Sequence, residues 1–137
     1  MKLGNFGITT EEINLKQIKQ NTNKFNITPK YKKEIEKVNN NLYIVKLIFD
    51  IKNDEKTIFP FDMHMVLIGS FEIFEATDFE INTFLNLKAI DIMFPYLRAA
   101  VSGVTAAAML PPVMLPIVPS DKLFASDNDF ATGEIIN

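Results

Sequence analysis

His64 is the only imidazole in the chain, two residues from Asp62 and eight from Glu72. A histidine near a carboxylate is the smallest set that can move a proton as a general base, because the carboxylate orients the ring and supports the charge it gains. The set stops there. No cysteine and no second histidine accompany it, so neither a thiolate nucleophile nor an ordinary zinc set can be assembled. No G-x-S-x-G turn or phosphate-binding glycine loop occurs. Residues at i and i+2 on a strand are neighbours on one face and nothing more. The expectation is a half-exposed strand histidine with no part in catalysis, in a protein that is not an enzyme and holds no metal or cofactor.

The other chemistry on offer is apolar. From Ala99 to Pro119 the sequence AAVSGVTAAAMLPPVMLPIVP carries no charge. Roughly twenty uncharged residues is about the length that crosses a bilayer. Pro111, Pro112, Pro116 and Pro119 argue against a span, since each removes a backbone donor and one proline inside a helix costs about 3 kcal/mol. Only Ala99 to Leu110 can be helical, too short to cross at about 1.5 Å per residue. The stretch also lies late in the chain, without the basic region that opens a secretion signal. Stable membrane insertion is not expected. Within the helical half, Ala99, Gly103 and Ala107 fall at i, i+4 and i+8, with Ser102 and Ala106 beside them. Such a flat stripe lets another backbone come close. The alanines are equally explained as plain helix formers.

These residues need a scaffold, and the composition can supply one. A chain of 137 residues with 47% hydrophobic content and 12 phenylalanines builds one domain with its own core. A net charge of -3, and a basic cluster KYKKEIEK diluted by its own glutamates, give no footprint for nucleic acid. The lack of cysteine fits a reducing compartment, and the expected location is cytoplasmic.

The polar segment from Met1 to Thr28 predicts one short strand, near Thr10 to Ile18. Tyr31 to Val38 has good helix formers but also alternates, and is read as a strand. LYIVKLIFDI places Tyr43, Val45, Leu47, Phe49 and Ile51 on one face with Lys46 and Asp50 on the other, a plain strand pattern. After a polar return at KNDEK, a second alternation runs from Thr57 to about Phe74, with Phe59, Phe61, Met63, Met65, Leu67, Phe71 and Ile73 on one side. Gly69 within it is expected to mark a bulge or bend. The opposite face is mixed, so one layer of helices leaves apolar area for another copy of the protein to cover. Phe79 to Asp91 reads as a loop running into a short helix, and Phe94-Pro95-Tyr96 as the first turn of the long one.

The order of two long strands ending in FEI, then FPYLRAAVSGV, then LPPVMLPIVP, then SDKLF resembles the SecB protein-export chaperones. Phe94, Pro95, Tyr96 and Arg98 match the family's first motif; Leu110, Pro111, Leu115, Pro116 and Val118 its second; Asp121, Leu123 and Phe124 its third. The resemblance implies an α+β subunit, a four-stranded antiparallel sheet with helices on one face, over residues 1–124, assembling as a dimer of dimers. It implies an ATP-independent holdase that binds unfolded polypeptides and keeps them competent for translocation by passing them to SecA. By that resemblance the client groove takes in Ile27, Phe61, Tyr96, Met109, Met114, Leu115 and Phe124, each also explicable as core. Met63, Met65 and Leu67 would lie near the contact between dimers, with interior packing the equal alternative, and Ala99, Gly103 and Ala107 would serve a second contact.

The departures bear on the partner. Among positions that face SecA in the family, Glu12 is retained, Lys16 is reversed in sign, and Asp62 and His64 occupy the strand positions. Residues 125–137 are a short tail without helical periodicity or an acidic end, expected to be disordered. A chaperone of this fold serving another client, such as an antitoxin or a phage or mobile-element protein, is the alternative. A structural scaffold without client binding is a further class, which predicts large assemblies.

Overall fold

A computed structural model describes residues 1–17, 28–52 and 61–124, with the backbone of 135–136. Four strands, β1 (Lys2–Gln17), β2 (Lys30–Lys37), β3 (Leu42–Ile51) and β4 (Phe61–Phe74), form an antiparallel sheet. The sheet order is β1-β4-β3-β2, with a two-residue strand β5 (Ile135–Ile136) added in parallel outside β2. Helices α1 (Asp78–Thr83) and α2 (Ala89–Ala107) are joined through a π-helical turn, Phe84–Lys88, and a short α3 (Ser120–Leu123) follows. This is the α+β arrangement expected, with the helices on one face.

The alternating code of β3 and β4 builds the core. Tyr43, Val45, Leu47, Phe49 and Ile51 from β3 and Phe61, Met63, Met65, Leu67, Phe71 and Ile73 from β4 are all buried, facing Ile90, Met93, Leu97 and Val101 of α2. Aromatic edges lock the layers together: Tyr31 of β2 lies 5.5 Å from Phe49 and 5.9 Å from Phe94, and Phe71 lies 5.6 Å from Phe84, centroid to centroid. The β2–β3 turn is held by Asn39, whose Oδ1 accepts from the backbone N–H of Asn41 at 3.1 Å and of Leu42 at 3.0 Å.

Four expectations are corrected. The first strand is not short: β1 runs from Lys2 to Gln17 and pairs along the whole of β4, because a long partner offers a ladder that polar side chains on an exposed edge do not disturb. Gly69 is neither bulge nor bend. It pairs regularly with Ile8 and Val45, and a Cβ there would sit 2.8 Å from the Met93 sulfur, so its lack of a side chain admits the helix. The register irregularities fall on the β1–β4 ladder, between Leu3 and Phe6 and between Thr10 and Glu12. The stretch from Phe79 to Asp91 is helical throughout, opened by a capping box in which Thr77 Oγ1 accepts from the Glu80 N–H at 3.1 Å while the Thr77 N–H donates to Glu80 Oε1 at 3.0 Å. Pro95 therefore stands inside α2 instead of in its first turn, where it withholds the amide that would have bonded the Asp91 carbonyl.

Candidate functional site

The apolar surface is built at the carboxyl end of α2. The helix stops in a Schellman arrangement, with the Met109 N–H donating to the Ala106 carbonyl and the Leu110 N–H to the Thr105 carbonyl, both at 3.0 Å. The residue at the left-handed position is Met109, φ 62°, where glycine is the usual occupant. Pro111 and Pro112 then forbid any continuation, and residues 111–119 run back along α2.

Three bonds pin the returning segment. Thr105 Oγ1 accepts from the Val113 N–H at 3.0 Å, the Arg98 guanidinium donates to the Leu115 carbonyl at 2.8 Å, and Asp91 Oδ1 accepts from the Ser120 N–H at 3.0 Å. Thr105, Arg98 and Asp91 are spaced seven apart, which puts all three on one side of the helix. With the backbone so fixed, side chains alternate from Val113 to Pro116, with Val113 and Leu115 buried against the core and Met114 72% exposed; the alternation then breaks, and Ile117 is 78% exposed. Met114 Sδ rests 3.5 Å from Ser102 Oγ. Met109 is 91% exposed and Tyr96 54%. Helical spacing sets Tyr96, Ala99, Gly103 and Ala106 on one exposed stripe, and nothing lies within 4 Å of a Cβ placed on Gly103. The result is a flat floor of small residues with large apolar side chains at its ends and along one side.

The sequence-predicted site residues divide. Tyr96, Met109 and Met114 are displayed together with the stripe of Ala99, Gly103 and Ala107. Phe61, Leu115 and Phe124 are buried, so in this structure they support the surface from beneath and are not part of it. Met63, Met65 and Leu67 are likewise spent in the chain's own core, the interior-packing alternative, since their strand face is the one the helices cover. Ile27 lies outside the described residues, as does the tail apart from Ile135–Ile136. Ile117 was missed: alternation through VMLPIV would bury it with Val113 and Leu115, and it is exposed because the alternation breaks after Pro116.

Beneath the site, Lys33 projects from the inner face of β2. Its ammonium lies 4.6 Å from the centroid of the Phe124 ring and donates to the Asn86 carbonyl at 3.4 Å. Burial pushes its pKa down to about 8, and the facing ring offsets part of that cost. Burial also pushes the Tyr31 phenol up to about 12.

On the opposite face of the sheet, His64 finds its partners on neighbouring strands and not in Asp62 or Glu72 of its own. Its Nδ1 lies 2.6 Å from Asp50 Oδ1 on β3 and its Nε2 3.6 Å from Glu12 Oε2 on β1. The ring ties three strands together. Glu11 similarly meets Lys46 at 3.4 Å, and Lys16 is in register with Asp62. No group of three or more potential metal ligands occurs among the described residues, and no described helix is long and apolar enough to cross a membrane.

The family model for SecB, the preprotein translocase subunit, matches residues 7–130. The chain is 29% identical over 119 residues to protein MJ0357 of Methanocaldococcus jannaschii, covering 85% of this chain and 77% of that protein. Its fold is similar to that of the SecB-like chaperone Rv1957 of Mycobacterium tuberculosis, solved in complex with a ChAD peptide from the HigA1 antitoxin. The TM-score is 0.67 at 12% identity, with 85% of this chain and 90% of that chain covered.

Proposed function

The chain belongs to the SecB family, and on that premise we propose that it is an ATP-independent holdase that captures unfolded polypeptide on the surface between Tyr96 and Ile117. One observation carries the reading: Tyr96, Met109, Met114 and Ile117 are held out in water by a backbone pinned at Thr105, Arg98 and Asp91, in a chain whose core is complete without them. Burying a large apolar side chain contributes roughly 1.5–3 kcal/mol, so a few shallow contacts retain an unfolded segment without reading its sequence. Methionine suits varied partners because its thioether chain is unbranched and polarisable. A surface that binds the unfolded and not the native chain acts by mass action, and needs no nucleotide.

The recipient of the client is the finer question. Delivery to SecA for the Sec pathway is the family's export role. A dedicated client, such as an antitoxin or a phage or mobile-element protein, is favoured by the altered acidic positions: the His64 ring lies 3.6 Å from the Glu12 carboxylate, and Lys16 stands across from Asp62. The mycobacterial relative's complex with an antitoxin peptide supports the same reading. Self-association into a dimer of dimers is assigned to the outer edge of β1, which exposes Leu3, Phe6 and Ile13. A cytoplasmic location follows from the same role.

The test is suppression of aggregation of a reduced, unfolded protein at stoichiometric amounts without nucleotide, with the mass of the complex measured in parallel. Suppression with a defined small assembly supports the reading. Unhindered aggregation, or a large scaffold-like polymer, contradicts it. Pull-downs then separate the recipients, by recovery of SecA or of one small dedicated partner.

A further inference from the structure

The sheet has a second edge, and its occupant is unexpected. β2 reads KYKKEIEK, six of its eight residues charged, a composition that ordinarily discourages pairing. Yet Ile135 is aligned in parallel with Ile35 and Ile136 with Glu36. Ile35 is fully buried, the point where the charged strand has an apolar anchor. The ladder is only two residues long, and parallel pairing is the weaker kind. A backbone hydrogen bond adds little net stability once its exchange with water is counted, so a ladder this short is displaceable. What keeps it in place is covalent attachment, which gives a tethered segment an effective concentration on the order of millimolar.

β2 also meets the buried layer beneath the apolar surface. Tyr31 of β2 packs on Phe94 of α2, and Lys33 of β2 lies under Phe124, directly after α3. A polypeptide laid along the returning segment therefore has β2 within reach of its extended continuation.

We propose that the Ile135–Ile136 segment is a built-in competitor for the β2 edge, an internal strand that an extended client segment bearing adjacent branched aliphatic residues must displace. This rests on the holdase reading and adds a regulation to it. Main-chain pairing makes the edge tolerant of sequence, and the segment it pairs with here reads Ile-Ile. A competitor docked between two-thirds and nine-tenths of the time weakens the client's apparent affinity by about three- to tenfold, since only the open fraction binds.

The experiment compares the full chain with a full-length Ile135→Asp, Ile136→Asp variant. The probe is a short fluorescein-labelled unstructured peptide carrying one Val-Ile-Ile segment, with a second peptide in which that segment is Pro-Gly-Pro. The variant is expected to bind the first peptide about three- to tenfold more tightly and the second no more tightly. The β2 amides are expected to exchange faster with deuterium in the unliganded variant. Equal or weaker binding of the first peptide by the variant, where the full chain binds it, overturns the competitor and leaves the holdase reading intact. Unchanged exchange along β2 overturns it too. Failure of both proteins to hold any unfolded chain removes both readings.

Discussion

Met109 stands at a position where a side chain is a liability, and replacing it by glycine separates stability from function. A non-glycine residue in the left-handed region costs roughly 1–2 kcal/mol. Glycine returns part of that by gaining freedom in the unfolded chain, so Met109→Gly is expected to stabilise by about 0.5–1 kcal/mol net. For a domain of this size that raises the melting temperature by about 2–6 °C. The same change deletes a side chain that is 91% exposed and makes no contact the fold needs. A client that buries it in a shallow contact loses about 1.4 kcal/mol, which is about tenfold in Kd. Met109→Ala is the control, keeping the strained φ while removing the thioether: binding falls and the melting temperature does not rise. Calorimetric melting and titration with a labelled unfolded protein read the two effects. A Met109→Gly protein that gains stability and holds clients as tightly as before would refute the assignment of Met109 to the binding surface.

Other outcomes follow from the same geometry. Thr105→Val leaves the Val113 N–H without its buried acceptor, costing about 1–3 kcal/mol, and amide exchange in residues 111–119 should quicken, whereas Thr105→Ser keeps the bond. Met114→Asp is expected to weaken client holding by about tenfold or more with a change in stability within about 0.5 kcal/mol, while Leu115→Asp and Phe61→Asp bury an unpaired charge and should unfold the protein in denaturant titration. Lys33 sets a pH dependence. The folded amine titrates near 8 and the unfolded one near 10.5, so the unfolded chain binds more protons between them and stability rises with pH in that window. Tyr31 acts oppositely above about 10, where the unfolded phenol ionises while the folded one stays neutral to about 12, so its contribution is lost across that span. The melting temperature of Lys33→Met relative to the parent should therefore fall steadily between pH 8 and 10; parallel profiles contradict the assignment.

Much of this is legible in the sequence. Strands β3 and β4 are, because a period of two with Phe, Met, Leu and Val on one side has few other solutions, and their burial follows the pattern except at Val66, which is buried on the other face. β1 is not, since an exposed edge strand is specified by its partner's length and not by its own side chains. The α1 start is available in Thr77-Asp78-Phe79-Glu80, a capping-box spacing that a loop reading overlooks. For the site, residue types identify the apolar stretch but not which side chains face water. That division is made by the three bonds to Thr105, Arg98 and Asp91, long-range contacts that no local pattern encodes. Hence Met114 and Leu115, adjacent in sequence and similar in character, end on opposite sides of one backbone.

The most direct measurement uses the six methionines as reporters, with carbon-13 labelled methyl groups followed by NMR during titration with a reduced, unfolded protein. The holdase account predicts that the Met109 and Met114 methyls shift or broaden at stoichiometric amounts without nucleotide, that those of Met63, Met65 and Met93 in the core stay in place, and that the native form of the same protein has no effect. Unmoved Met109 and Met114 signals in the presence of bound client would contradict it.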